Sequence, residues 1–76
     1  MSILDAPIDT KLKILEINSG NEFKRKLFSL GMQIDDCFIK IHPAKRGPIL
    51  LQSVTNPNSK LALDRKLAES IIVAYE

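Results

Sequence analysis

Short apolar runs divided by turn signals constrain the fold of this chain more than any other feature. Five runs of four to eight residues are rich in Ile, Leu and Val, and Pro, Gly, Asn and Ser stand between them. A sheet of such short strands protects its edges best by curling into a barrel. The predicted strands are "KLKILEI" (11–17), "DDCFIKIH" (35–42), "ILLQSV" (49–54), "KLAL" (60–63) and "IIVAY" (71–75).

The stretch between the first two strands predicts one helix, over about residues 21–30. Ser19 is followed three residues later by Glu22, which fits a capping box at the helix start. Gly31 fits the left-handed position just past the helix end, where a residue without a Cβ avoids a steric penalty. One helix face is apolar and is expected to face the core, because three residues follow helical spacing: Phe23, Leu27 and Leu30.

The first predicted strand changes phase along its length. Leu12 and Ile14 alternate as in a half-buried strand, but Leu15 and Ile17 shift the alternation by one residue. Such a shift predicts a β-bulge or a local twist within the strand.

Two shorter segments complete the prediction. Residues 1–10 are expected to be an extended lead-in, because Pro7 disfavours the helical conformation of the residue before it. Residues 65–70 are expected to form a short helical turn, with Asp64 as its N-cap. The sequence therefore predicts a mainly β fold, a small five-stranded SH3-like barrel with one inserted α-helix and a short helical turn, in a single domain over residues 1–76.

Composition excludes several classes of function. The chain has 76 residues and a net charge of +2, which is too small to favour nucleic-acid binding. The one basic run, residues 24–26, points in several directions on a helix and indicates a solvated face. A lone cysteine, Cys37, fits a reducing compartment. No apolar run reaches the roughly 20 residues that span a bilayer, and the N-terminus does not resemble a signal peptide, so we expect a cytoplasmic protein without direct membrane insertion.

No catalytic or metal-binding constellation can be assembled from the sequence. Cys37 and His42 lie on opposite faces of a regular strand, so they should not share a metal or form a nucleophile–base pair. Cys37 is better explained as a small buried hydrophobic residue and His42 as an exposed turn residue. Asp35 and Asp36 are adjacent and more consistent with a turn than with an acid–base pair. We therefore expect no enzyme, no cofactor and no metal site.

The stretches "RKLFSLGM", "PAKRGPILL" and "LALDRKLAESIIV", taken in order, resemble the FeoA family. This family comprises small cytoplasmic proteins that accompany the bacterial ferrous-iron transporter FeoB, and its domain also resembles the C-terminal module of DtxR-type repressors. The resemblance covers about residues 9–75. One departure is that Ile34 and Asp35 stand where the family pattern has a Pro-Gly turn, and another is that Asp64 stands where it has Arg.

The resemblance implies a partner surface near the end of the predicted helix. Phe28 falls off the apolar stripe, and two interpretations stay open for it. With Met32 it forms an exposed apolar spot beside a basic loop, or it is a half-buried side chain next to a solvated turn. Candidate partner-binding residues are Phe28, Leu30, Gly31, Met32, Lys45 and Arg46.

Two functions remain open at this point. By resemblance, the chain is a non-catalytic accessory protein of ferrous-iron uptake that binds and modulates the cytoplasmic part of FeoB, which would recruit it to the inner membrane. The alternative is a stand-alone metal-sensing domain that uses oxygen ligands, with Asp35 and His42 as candidates. Weak self-association through an uncovered edge at residues 71–75 is a further expectation.

Overall fold

The computed structural model describes residues 1–41 and 47–76. Within these ranges the chain forms five strands and two helices. In chain order they are β1 (Lys11–Ile17), α1 (Asn21–Ser29), β2 (Cys37–Lys40), β3 (Ile49–Ser53), β4 (Lys60–Leu63), α2 (Arg65–Ala68) and β5 (Ile71–Tyr75).

The five strands form one antiparallel sheet in the order β4-β3-β2-β1-β5. This is the predicted SH3-like fold, with α1 inserted between β1 and β2. Alternation along each strand sends apolar side chains to one side, and all five strands contribute to the same core. The fully buried strand residues include Leu12, Ile14, Leu51 and Ile71.

The phase shift in β1 is a bulge, as predicted. The pairing of β1 with β5 slips between Ile14 and Glu16, so that Ile14 lies opposite Val73 and Glu16 lies opposite Ile72. Leu15 is the additional residue and is exposed, whereas Ile17 returns to the core. The bulge therefore lets β1 bury both ends of an irregular apolar pattern.

Both helices begin close to their expected positions, but only one has the expected cap. The Asp64 side chain accepts a hydrogen bond from the Lys66 N–H at 3.1 Å and caps α2, as predicted. The capping box at Ser19 and Glu22 is wrong, because Gly20 is the N-cap of α1 and no side chain caps the helix. Glu22 instead lies in the first turn, where its charge complements the helix dipole.

The first ten residues differ from the expected extended lead-in. They form turns, and Ile3 and Ala6 are buried in the core. Ser2 lies opposite Ile72 in an isolated antiparallel bridge. The Ile3 N–H donates to the Ile71 carbonyl at 2.8 Å, so this segment covers part of the β5 edge that the sequence suggested was open.

Candidate partner-binding surface

Helix α1 ends in a Schellman motif, which determines the path of the chain after the helix. The Gly31 N–H donates to the Phe28 carbonyl at 3.0 Å, and the Met32 N–H donates to the Leu27 carbonyl at 2.9 Å. Gly31 has a φ of +91°, the left-handed conformation predicted from the sequence. Leu30 is the C-cap between the helix and this turn.

The motif places Met32 in the core and Leu30 at the surface, which is the reverse of the expectation. Met32 is only 1% exposed and Leu27 is fully buried, whereas Leu30 is 47% exposed. The hydrogen bond from Met32 to Leu27 folds the chain back, so Met32 takes the core position that follows Leu27. An exposed Met32 and a buried Leu30 were therefore wrong predictions.

Phe28 is exposed rather than half-buried, with 64% of its surface accessible. It forms one side of a groove of about 300 Å³, which we call the Phe28 groove. The groove is lined by Ile17, Lys24, Phe28, Met32, Gln33 and Ile34.

A different depression lies beside Leu30. Leu30 and Gly31 line a smaller cavity of about 190 Å³ together with Phe38, Lys60, Leu61 and several polar residues of the 53–59 region. Phe28 lines the first groove and not the second. The expected partner-binding residues are therefore divided between two surfaces, and Lys45 and Arg46 lie outside the described residues.

Ile34 is an exposed apolar residue that sequence reasoning missed. It follows Gln33 in a turn closed by a hydrogen bond from the Asp36 N–H to the Gln33 carbonyl at 3.1 Å. Asp35 has a φ of +75°, the third-residue geometry of a type II turn, for which Pro-Gly is the favoured central pair. Ile34 and Asp35 thus adopt a turn geometry that a Pro-Gly pair would favour. The side chain of Ile34 is 52% exposed. An apolar residue at the tip of a turn was the sequence signal that could have identified it.

Charge is unevenly distributed around the Phe28 groove. Lys24 and Arg25 precede Phe28 by four and three residues, so their side chains emerge on the same helix side. At the Ile34 end, Asp35 forms an ion pair with Lys13 at 3.8 Å. The Asp36 carboxylate there accepts a hydrogen bond from the Gln33 N–H at 3.0 Å.

Lys40 is a buried cation that serves the fold. Its ammonium Nζ donates to the carbonyls of Leu4 at 2.8 Å and Ala6 at 2.9 Å. Burial lowers the pKa of Lys40, the nearby Arg65 lowers it further, and Asp5 opposes the shift. Because these carbonyls belong to the N-terminal residues, Lys40 ties that segment to β2.

Cys37 does not have the environment of a reactive thiol. It is half-buried rather than fully buried as expected, and desolvation raises its pKa. A hydrogen bond to Glu76 and the charge of that carboxylate raise the pKa further. A raised pKa keeps the thiol protonated, whereas nucleophilic and metal-binding cysteines act as thiolates.

The described residues do not supply a metal-binding cluster. Across residues 1–41 and 47–76, no three His, Cys, Asp or Glu side chains stand close enough together to hold an ion. Asp35 and Asp36 lie in the turn before β2, as expected, while His42 lies outside the described part. None of the helices in that part is long and apolar enough to cross a membrane.

A small five-stranded antiparallel sheet with a helix inserted between its first two strands is the architecture of an SH3-like domain. The FeoA domain pattern matches residues 1–75. The chain therefore belongs to the FeoA domain family, a family of small iron-transport-related domains.

Solved structures share this fold at low sequence identity. A crystal structure of an iron uptake regulatory protein (FeoA) is 18% identical, with a TM-score of 0.86 over 100% of this chain and 97% of that chain. The FeoA-like protein from Clostridium acetobutylicum is 21% identical, with a TM-score of 0.81, and the match covers 99% of this chain and 85% of that chain.

A repressor carries the same fold within a longer chain. A manganese-dependent transcriptional repressor is 14% identical to this chain, with a TM-score of 0.87. The match covers 100% of this chain and 41% of the repressor. No curated protein sequence matches the chain.

Proposed function

We propose that this chain is a non-catalytic accessory protein of ferrous-iron uptake, which binds the cytoplasmic part of a FeoB-type transporter and modulates it. The observation that carries the proposal is the FeoA domain match over residues 1–75. The protein would act in the cytoplasm and reach the inner membrane through the transporter. It would need no cofactor and would not bind nucleic acid.

The exposed end of α1 supports a binding role. Phe28 and Leu30 are large apolar side chains on a hydrogen-bonded helix end, and exposed apolar groups of this kind are typical of protein contacts. Lys45 and Arg46, which lie outside the described residues, stay proposed contributors.

The test is direct binding of the full chain to the purified cytoplasmic domain of the cognate transporter. Wild type is compared with Phe28→Asp and Leu30→Asp, which place a charge in the two separate depressions at surface positions. Loss of binding in either variant, with an unchanged NMR spectrum of the free protein, is the expected result. Retained binding in both would remove the end of α1 as the interface, and no binding by wild type would contradict the proposed partner.

A metal-sensing domain is the second candidate, favoured by the shared fold of the manganese-dependent repressor. The described residues do not fit this role well, because Asp35 is already paired with Lys13 and no cluster of ligands surrounds it. Titration with ferrous iron under anaerobic conditions separates the candidates. Saturable shifts of the Asp35 amide would support the sensor, and unchanged spectra would support the accessory protein.

A further inference from the structure

We propose that the Phe28 groove binds an acidic peptide segment of a protein partner. A bulky apolar side chain of that segment would contact Phe28, and its carboxylates would face Lys24 and Arg25. The inference rests on the proposed function in one respect: it takes the partner to be a protein. It adds that the partner binds in the Phe28 groove rather than in the cavity beside Leu30, and that the bound segment is acidic with one bulky apolar side chain.

The apolar part of the groove has a floor and two exposed sides. Ile17 and Met32 are buried and form the floor, while Phe28 and Ile34 stand exposed on either side of it. The volume of about 300 Å³ lies at the lower end of the range for small ligand sites. An aromatic side chain at the edge of such a groove is a typical energetic centre of a protein interface.

The positive charges beside the groove favour a bound segment with negative charge. Lys24 and Arg25 have no carboxylate partner among the described residues, so their charges are available to a ligand. At the other end, Asp35 is paired with Lys13, whereas Asp36 accepts a hydrogen bond from the Gln33 N–H and keeps its negative charge. Electrostatic complementarity therefore favours a segment with its carboxylates at the Lys24 end and its apolar side chain towards Ile34.

An anionic membrane surface fits this groove less well. Helices that lie on membranes insert a continuous apolar face, whereas the apolar face of α1 is occupied by the core through Leu27. The exposed apolar residues surround a concave groove. Asp35 and Asp36 would also be brought against the lipid headgroups, because they directly follow Ile34.

The first experiment selects ligands without assuming a sequence. Random twelve-residue peptides displayed on phage are selected against the immobilised full chain, and enriched peptides are synthesised and titrated into labelled protein. The expected peptides combine Asp or Glu with Leu, Phe or Trp, and they shift the amides of Lys24, Phe28 and Ile34. Enrichment of basic or uncharged peptides, or of none, would overturn the proposal.

Matched variants then test the site. Phe28→Ala is expected to weaken binding of the enriched peptide about tenfold or more, as for an interface centre. Tyr75→Ala is the control, because Tyr75 is also aromatic and 63% exposed. It lies opposite Leu12, whereas Ile17 of the groove lies opposite Ile71 at the other end of β5. Equal affinity of the Phe28 variant and wild type would overturn the proposal.

The charge requirement has its own pair of variants. Lys24→Glu combined with Arg25→Glu is expected to weaken binding about tenfold at low salt and less in high salt, because screening removes the attraction. Lys11→Glu, at the far end of β1, is expected to leave the affinity unchanged. The double variant changes the net charge by four and the control changes it by two. A loss of binding energy in Lys11→Glu of half that of the double variant or more would indicate a net-charge effect and contradict the site.

Two other occupants are outcomes of the same measurements. Vesicles of phosphatidylglycerol that shift the Phe28 amide and displace the peptide would assign the groove to a membrane. Concentration-dependent shifts of the free protein at Phe28 would assign it to a second copy of this chain. Either result would overturn the acidic-segment proposal.

The inference and the proposed function fail separately. Peptide binding at Phe28 without any binding of the transporter domain would leave the groove in place and contradict the transporter. Binding of the transporter domain that is unaffected by Phe28→Ala and by the charge variants would retain the function and contradict the groove.

Discussion

The end of α1 and the N-terminal segment both lie at the margin of the core, but they differ in how far their apolar side chains are exposed to solvent. The N-terminal segment, residues 1–10, buries Ile3 and Ala6. The end of α1 buries Met32 but leaves Phe28 and Ile34 exposed. The N-terminal segment also leaves Met1 and Ile8 exposed, by 43% and 36%. The end of α1 presents more of its apolar surface to solvent, because Phe28 is 64% exposed and Ile34 is 52% exposed.

Backbone disorder does not account for the exposure. The backbone at the end of α1 is bonded as well as that of the N-terminal segment, through the Gly31 and Met32 amides. The N-terminal segment is tied by the Ile3 amide and by the Val73 N–H, which donates to the Met1 carbonyl at 2.8 Å. Apolar exposure at Phe28 is therefore a property of the folded surface, which is why it indicates a partner.

The largest effect on stability is expected for Met32, on the buried side of the helix end. Met32→Ala should lower the free energy of unfolding by about 2–5 kcal/mol, because it removes a fully buried side chain from a packed core. Urea denaturation of both proteins measures the difference. A loss below about 0.5 kcal/mol, typical of surface positions, would mean that Met32 is not a core residue.

The next effect concerns the N-terminal segment. Lys40→Met should cost about 1–3 kcal/mol, because it removes the ammonium that bonds the Leu4 and Ala6 carbonyls and leaves those groups without a donor. Hydrogen exchange of the Ile3 amide should accelerate more than exchange in β3. Lys11→Met, at an exposed lysine, is the control and should change neither quantity. Equal exchange at Ile3 in the Lys40 variant and wild type would contradict this role.

A smaller effect is expected at the turn itself. Gly31→Ala should cost about 1–2 kcal/mol, because an L-residue with a Cβ is strained at a φ of +91°. No neighbouring atom lies within 4 Å of an added Cβ, so the cost is one of backbone conformation alone. Gly20→Ala, also in open space but at a φ of −66°, should cost less. Thermal unfolding of the two variants would contradict the account if their order were reversed.

The smallest effect on stability is expected at Phe28. Phe28→Ala should change the free energy of unfolding by no more than about 0.5 kcal/mol, since most of its side chain is in water already. Denaturation under the conditions used for Met32→Ala makes the two directly comparable. A loss similar to that of Met32→Ala would show that Phe28 is part of the core and would weaken its assignment to a partner.

The sequence predicted backbone features better than exposure. The strands, the bulge in β1, the Asp64 cap and the left-handed Gly31 each follow from local rules, and each was confirmed. Helical spacing placed Leu30 in the core because it assumes that the helix continues. A Schellman motif is often accompanied by an apolar contact between the residues that are here Leu27 and Met32. That motif was therefore the signal that could have placed Met32 in the core.

Two other features were beyond local rules. Burial of the N-terminal segment depends on Lys40, some 34 residues from Ala6 along the chain, and no periodic pattern marks that contact. The Phe28 groove brings together β1, α1 and the turn at Ile34, so its shape exists only in the folded protein. The sequence predicted that Phe28 and Met32 lie side by side, but it did not predict that Ile17 and Ile34 join them.

Whether the Phe28 side of α1 is the partner surface is tested most directly by alanine substitutions at two similarly exposed aromatic residues, Phe28 and Tyr75. The quantity measured is the affinity of each variant for the transporter's cytoplasmic domain. We expect Phe28→Ala to lose about tenfold or more in affinity while it stays as stable as wild type. We expect Tyr75→Ala to bind as wild type does. Equal binding by all three proteins, or equal losses in both variants, would contradict the claim that the Phe28 side of α1 is the partner surface.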